Sequence, residues 1–188
     1  MKKFLALAAV AAFVTAASAV DGTVVSYDIS GAESWDGLSD SSNMVLVIDT
    51  AAMLGLPSGT ATEFHGIGWD VTIATNDGSW LSEARMYFDD NIAPDLSGLF
   101  LTPGVNDSVP GTGTYTSGGV VDLSDNGIPD IVLPDGMLRL EFYEGFDDLP
   151  DDIDANYLQG SSLQFDLVPE PASLMLLGLG AVALLRRR

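Results

Sequence analysis

The stretch LRLEFY at residues 138–143 alternates apolar side chains with charged or amphipathic ones. A period of two places successive side chains on opposite faces of a β-strand, whereas an amphipathic helix repeats about every 3.6 residues. The same alternation recurs in four other segments. Their predicted inward-facing residues are Val25, Tyr27 and Ile29; Trp69, Val71 and Ile73; Ala84, Met86 and Phe88; and Leu163, Phe165 and Leu167. The pattern therefore predicts an all-β domain.

Turn-forming residues separate these segments and define the expected architecture. Residues 76–78 (Asn-Asp-Gly) are interpreted as a hairpin turn. Residues 104–119 are rich in Gly, Pro, Ser and Thr and predict a long loop with one short strand. The continuously apolar residues 44–48 favour a central strand covered on both faces. We expect residues 20–168 to form one β-sandwich domain of jelly-roll type.

The charge of the chain excludes several classes of function. The 188 residues include 27 acidic residues against seven Lys and Arg, with one His and no Cys. Residues 20–168 hold 26 of the acidic residues and only two arginines, a net charge of −24. This excess argues against binding nucleic acid or anionic lipid through a basic surface. The lack of Cys excludes a disulfide framework and a thiolate metal site, and one His excludes a multi-His zinc site.

Residues 1–19 have the features of a secretory signal peptide. Two lysines precede an uncharged apolar run, and Ala17-Ser18-Ala19 supplies the small residues that a signal peptidase reads. We predict cleavage after Ala19, with the export translocase and signal peptidase as transient partners. The alternative is an ordinary N-terminal buried helix.

A second apolar segment, residues 169–188, ends the chain. Pro169-Glu170-Pro171 precedes fourteen mostly apolar residues, 172–185, and then Arg186, Arg187 and Arg188. A comfortable bilayer span needs roughly twenty residues, so this one requires a thinned bilayer or snorkelling arginines. The positive-inside rule keeps the arginines cytoplasmic, and the two prolines keep the approach extended and accessible to a processing enzyme. The alternative is a plain anchor that is never cut.

This tripartite end resembles the PEP-CTERM sorting signal of exported proteins in Gram-negative bacteria. The resemblance rests on Pro169-Glu170-Pro171, the short apolar helix ending in Leu-Leu, and Arg186-Arg187-Arg188. It implies export, transient anchoring in the inner membrane and processing by exosortase, a membrane-embedded cysteine peptidase. It also implies delivery to the cell surface or an extracellular polysaccharide matrix. It carries no information about the function of the central domain.

Two acidic clusters are candidate metal sites, with calcium as the candidate ion. In residues 122–127, oxygen-bearing side chains at alternate positions followed by Gly resemble the first half of a calcium loop, although the glutamate of such loops is missing. The candidate ligands are Asp122, Ser124, Asp125, Asn126 and Asp130. The alternative is an acidic turn. Residues 147–154 hold five carboxylates, which we interpret as a solvated loop.

The remaining candidates give weaker signals. His65 has neither a nucleophile nor an orienting partner that spacing identifies, so we expect a structural or surface role. Arg85 and Arg139 are predicted on outward faces, as surface pairs with Glu83 and Glu141. Four aromatic residues near predicted turns could stack on sugars or pack over the ends of the sandwich. They are Trp35, Trp80, Tyr115 and Tyr157.

These observations favour a non-enzymatic exported protein with a structural or binding role at the cell surface or in an exopolysaccharide matrix. One alternative is a calcium-dependent carbohydrate-binding module. Another is a secreted glycan hydrolase that uses paired carboxylates, for which no particular pair is indicated.

Overall fold

β-Strands make up nearly all the regular structure in the part of the chain that the structure describes. The structure, a computed structural model, describes residues 22–76, 78–92, 95–149 and 152–170. The strands are β1 (Thr23–Asp28), β2 (Glu33–Ser34), β3 (Val45–Asp49), β4 (Thr62–Thr75), β5 (Ala84–Asp90), β6 (Leu99–Leu101), β7 (Thr112–Thr116), β8 (Val121–Asp122), β9 (Ile131–Leu133), β10 (Met137–Glu144), β11 (Ala155–Tyr157) and β12 (Ser162–Pro169). Helix is confined there to one turn, α1 (Thr50–Met53), and a 3-10 turn at Ser124–Asn126. The all-β prediction is confirmed.

The strands form two sheets, which we call the β4 sheet and the β10 sheet. The β4 sheet has the order β1-β12-β4-β11-β2, and the opposite edge of β4 pairs with β7, β8 and β9 in turn. The β10 sheet has the order β3-β10-β5-β6. Eight main strands remain when β7, β8 and β9 are treated as one interrupted strand and the short β2 and β11 are set aside. Numbered 1 to 8 along the chain, they lie in the order 1-8-3-6 across the β4 sheet and 2-7-4-5 across the β10 sheet. This alternation between two antiparallel sheets is the jelly-roll arrangement.

The core lies between the sheets and is rich in phenylalanine. Phe64 and Phe165 of the β4 sheet lie 5.6 Å apart between ring centroids. Phe88 of the β10 sheet lies 6.0 Å from Phe64 and 6.4 Å from Phe165. All three rings are fully buried, and burial of each such side chain stabilises the fold by roughly 1.5–3 kcal/mol. The inward-facing positions predicted for β5, β10 and β12 are likewise buried.

The prediction of a central strand at residues 44–48 was wrong. β3 covers Val45–Asp49 and lies at the edge of the β10 sheet, where β10 is its one partner among the described strands. Ile48 faces the core, whereas Val45 and Val47 are 40% and 53% exposed. A continuous apolar run is compatible with a central strand or an edge strand. The sequence pattern shows which faces of a strand are apolar, but it does not show how many strands pair with it.

The hairpin predicted at residues 76–78 was also wrong. Residues 76–78 lie between β4 and β5 in the chain, and these strands belong to different sheets. Asn76, which follows β4, donates its side-chain amide to the carbonyl of Ile153 at 2.8 Å. Turn chemistry predicts a change of chain direction but not the strand that pairs next.

One of the two predicted surface ion pairs is an internal one. Arg139 donates to Glu141 at 2.7 Å, and the Glu141 side chain is completely buried. The loop between β2 and β3 covers it, since the Ser39 amide and the Asn43 side-chain amide both donate to Glu141, at 2.6 and 2.9 Å. Among the described residues, Arg85 does not form the predicted ion pair with Glu83. Burial of Glu141 under a loop could not be inferred from strand alternation.

Candidate functional site

The predicted sorting segment begins inside the β4 sheet. β12 lies between β1 and β4, and its last residues, Val168 and Pro169, pair with Glu63 and Thr62. The next residue, Glu170, donates its amide to the carbonyl of Ala61 at 3.1 Å. Proline lacks an N–H and is tolerated at the end of a strand such as this one. Pro169 and Glu170 of the motif are therefore bonded to the β4 sheet, and both are half-buried.

The other residues of the two predicted export signals lie outside the described residues. These are Ala17 and Ala19 of the signal-peptidase site, Pro171, the apolar residues 172–185, and Arg186, Arg187 and Arg188. Within the described ranges, the helices are too short for any of them to span a bilayer.

The first candidate metal loop forms a hydrogen-bonded turn. Asp122 ends β8, and its Oδ1 accepts bonds from the Ser124 hydroxyl at 2.7 Å and the Asp125 amide at 2.9 Å. These bonds, the Ser124 bond first, lower the pKa of the Asp122 carboxyl. Asn126 donates its side-chain amide to the Asp122 carbonyl at 2.8 Å, and Gly127 closes the turn with φ +73°. We call residues 122–127 the Asp122 turn.

The fifth candidate ligand, Asp130, lies beside His65. Its Oδ2 is 3.6 Å from His65 Nε2, and Glu63 Oε2 is 3.0 Å from the same nitrogen. The pairing of β12 with β4 steps from Phe64 to Gly66, so His65 is the extra residue of a β-bulge. Residues two apart in a strand share a face, so His65 lies on the same side of β4 as Glu63, and the fold brings Asp130 beside both. Sequence spacing identified neither partner.

The described residues contain no group of three or more acidic, His or Cys side chains arranged to hold a metal ion. The four aromatic residues considered as sugar contacts lie in different environments. Tyr157 is buried and its ring packs 5.0 Å from that of Phe142, between centroids. Tyr115 is partly buried and donates its hydroxyl to Asp107 at 2.7 Å, and Trp80 is 44% exposed. Within the described residues, no ring contact joins two of the four candidates.

A set of buried acids lies at the end of the sandwich where β10 finishes. We call Asp36, Glu144 and Asp154 the buried acidic cluster; their exposed fractions are 7%, 2% and 0%. Burial, and then the Asp154 charge, raises the pKa of Glu144 to about 8 against the pull of a Ser34 hydrogen bond. Burial also raises the pKa of Asp154 to about 6, although Ser79 hydrogen-bonds its carboxyl. The solvated-loop interpretation of residues 147–154 was therefore wrong for Asp154.

Sequence reasoning missed this cluster, although one signal was present. Glu144 continues the inward alternation of Leu138, Leu140 and Phe142, so the period of two places its carboxyl in the core. Asp36 and Asp154 gave no such signal, because both lie outside strands and only the tertiary fold buries them.

The comparisons with known proteins identify the end of the chain and not the sandwich. The family model described as the PEP-CTERM protein-sorting motif matches residues 167–188, which begin within β12. Comparison with curated proteins finds no match to the chain. The motif implies export, membrane-associated processing and recognition as an exosortase substrate. The protein thus carries a PEP-CTERM protein-sorting motif at residues 167–188, as the resemblance of its last residues predicted.

Proposed function

We propose that the protein is a non-enzymatic component of the cell surface or of an extracellular polysaccharide matrix. Translocase and signal peptidase deliver it across the inner membrane, and an exosortase-like peptidase releases its anchored end. The observation that carries the proposal is the match of the sorting motif to residues 167–188. The acidic domain at −24 supports it, because such a charge keeps an exported domain soluble and lets divalent cations bridge it to an anionic polymer.

The position of the motif adds a constraint on processing. Because Val168 and Pro169 pair with β4 and Glu170 bonds to Ala61, the folded domain holds the start of the motif with no intervening linker. A peptidase that engages Pro169 or Glu170 has to work directly against the sandwich. A cut beyond Glu170 would leave every described strand intact.

The test is to compare wild-type protein with a truncation after Glu170 in the native host. The truncation removes residues 171–188 and no described residue, so the sandwich itself is unchanged. We expect wild-type protein recovered from the envelope and medium to have an intact mass running from Val20 to the region of the motif, with any excess reporting attached polymer. The truncated protein should lose its signal peptide but should no longer reach the cell surface and the medium. Unchanged secretion of the truncated protein would count heavily against the sorting role. A wild-type mass running from Val20 through Arg188 would contradict the proposal.

The non-enzymatic part has a separate test. Among the described residues, His65 with Glu63 and Asp130 is the arrangement most like a catalytic set. Wild-type protein should release no reducing ends from the host's matrix glycans. Release that is abolished by Glu63→Gln or Asp130→Asn would favour the hydrolase alternative.

The calcium-dependent carbohydrate-binding alternative remains a prediction tied to the Asp122 turn. It requires added calcium to raise the melting temperature, and Asp122→Ala, Asp125→Ala or Asp130→Ala to remove that response. The bonds that already occupy Asp122 Oδ1 make this turn a poor competitor for an ion.

A further inference from the structure

Two carboxylates of the buried acidic cluster point into the sandwich and not into solvent. Glu144 is the last residue of β10 and lies on the same face as Leu140 and Phe142. Asp154 directly precedes β11, and its backbone is fixed from two sides. Its amide donates to the Ser34 carbonyl at 3.0 Å, and its carbonyl accepts from the Asn76 amide at 2.8 Å. Both side chains are therefore held in place by the sheets.

Each carboxylate has one oxygen satisfied and one orphaned. The Ser34 hydroxyl donates to Glu144 Oε1, and the Ser79 hydroxyl donates to Asp154 Oδ1 at 2.5 Å. Glu144 Oε2 and Asp154 Oδ2 are buried and have no hydrogen-bond partner among the described residues. Ser34 contacts both acids. Its carbonyl accepts a hydrogen bond from the Asp154 amide, and its hydroxyl donates one to Glu144.

The surroundings are strongly negative. Asp36, Asp147 and Asp148 act electrostatically on Asp154, and Glu83 acts on Glu144. Arg85 is the opposing charge that acts on Glu144. Two buried carboxyl oxygens without partners in such a field are costly unless a proton or a cation meets them. Hard divalent cations prefer carboxylate and hydroxyl oxygens, which are the groups present here.

We propose that Glu144 and Asp154 bind a hard divalent cation, calcium or magnesium, through Glu144 Oε2 and Asp154 Oδ2. Two carboxylates do not make a closed cage, in agreement with the absence of a three-residue metal cluster among the described residues. The ion keeps part of its hydration, as ions held by one or two carboxylates do. Residues 145–148, which directly follow Glu144, are exposed.

The test uses the full chain purified in detergent, after treatment with EDTA. Addition of millimolar calcium or magnesium should raise the melting temperature by several degrees, because the ion binds the folded state. The larger shift identifies the preferred ion. Equilibrium dialysis should give one tightly held ion per chain. A wild-type melting temperature that neither ion changes would overturn the proposal.

The variants Glu144→Gln and Asp154→Asn locate the ion. Both preserve side-chain shape and remove charge, and each should lose most of the shift. Asp122→Asn changes an exposed acid and is the matched control. This variant should keep the ion-induced rise in melting temperature. A shift that survives in both Glu144→Gln and Asp154→Asn would place the ion elsewhere and overturn the proposal.

A measurement on the wild type covers the case in which a variant fails to fold. Infrared difference spectra between the EDTA-treated and ion-loaded protein should show buried carboxyl groups converting to coordinated carboxylates. Unchanged carboxyl bands on ion addition would overturn the proposal regardless of how the variants behave.

Discussion

The Asp122 turn and the buried acidic cluster place carboxylates in opposite environments. Asp122 is exposed, and the serine and amide that follow it in the chain satisfy its Oδ1. Glu144 and Asp154 are buried, and the serines that serve them are distant in sequence, Ser34 being 110 residues from Glu144 and Ser79 being 75 from Asp154. The first region looks like a metal loop in sequence and folds as a turn. The second has no sequence motif, and there Glu144 Oε2 and Asp154 Oδ2 have no hydrogen-bond partner among the described residues.

The difference shows that the number of acidic residues in a short stretch does not predict which carboxylates lack hydrogen-bond donors. A carboxylate whose neighbours in the chain supply N–H and O–H donors has a lowered pKa and needs no further ligand, as at Asp122. A carboxylate that folding removes from water has a raised pKa, as at Glu144 and Asp154. Burial without enough partners therefore marks an acid as a candidate for protonation or for ion binding, whereas the buried Glu141 is satisfied by Arg139, Ser39 and Asn43.

The largest expected effect is a loss of stability with rising pH when divalent cations are absent. The folded pKa of Glu144, about 8, lies above its unfolded value of 4.5, and that of Asp154, about 6, lies above 3.8. The folded state therefore holds these protons more tightly. Their stabilisation is complete below the unfolded pKa values and is lost as the pH rises through the folded ones. Each group contributes a slope of at most about 1.4 kcal/mol per pH unit.

Urea unfolding in EDTA at a series of pH values between about 5 and 8 measures this slope. Glu144→Gln should flatten the upper part of the curve, between the two folded pKa values. Asp122→Asn should leave this range unchanged, because the lowered pKa of Asp122 confines its effect to acid pH. Stability that rises across this range in the wild type would contradict the assignment.

A second expected effect is a difference in stability cost between two serines, one that donates to the buried Glu144 and one that donates to the exposed Asp122. Ser34→Ala removes a buried hydroxyl from Glu144 and leaves a further carboxyl oxygen without a partner, which should lower the free energy of unfolding by about 1–3 kcal/mol. Ser124→Ala removes an exposed hydroxyl from Asp122, whose oxygen water can reach, and should change stability little. Chemical denaturation of both variants is the measurement. Equal losses of unfolding free energy in the two variants would contradict the contrast between the buried and the exposed carboxylates.

The smallest expected effect concerns the backbone of each region. Gly127 closes the Asp122 turn with φ +73°, so Gly127→Ala should cost about 1–2 kcal/mol through strain. Gly37 bridges to Glu144, does not have a positive φ, and has nothing within 4 Å of an added Cβ. Gly37→Ala should therefore be nearly neutral in thermal unfolding. A larger loss at Gly37 would mean that the cluster also depends on this stretch of backbone.

Much of the fold follows from sequence, and the exceptions have physical reasons. Alternation at Leu138-Leu140-Phe142 and at Leu163-Phe165-Leu167 identified strands and their inward faces, because a half-buried strand requires it. Pairing partners did not follow, so the edge position of β3 and the placement of β4 and β5 in different sheets were missed. Both depend on contacts between segments distant in the chain.

The candidate sites also divide into those that local sequence predicts and those that depend on the tertiary fold. The sorting motif is a local string, Pro169-Glu170-Pro171 with its apolar run and arginines, and the family match confirms it. The Asp122 turn was located but its hydrogen bonding was not foreseen. Alternation places His65 and Glu63 on one face of β4, whereas only the tertiary fold brings Asp130 beside them.

The sequence by itself determined the all-β class, the strand faces and the sorting motif, because each is encoded within a few adjacent residues. The tertiary structure alone decided which acids are buried, which strands lie at an edge and where the motif leaves the sheet. Glu144 and Asp154 show why. Their environment comes from Ser34, Ser79 and the sheet interior, which come together only when distant segments pack.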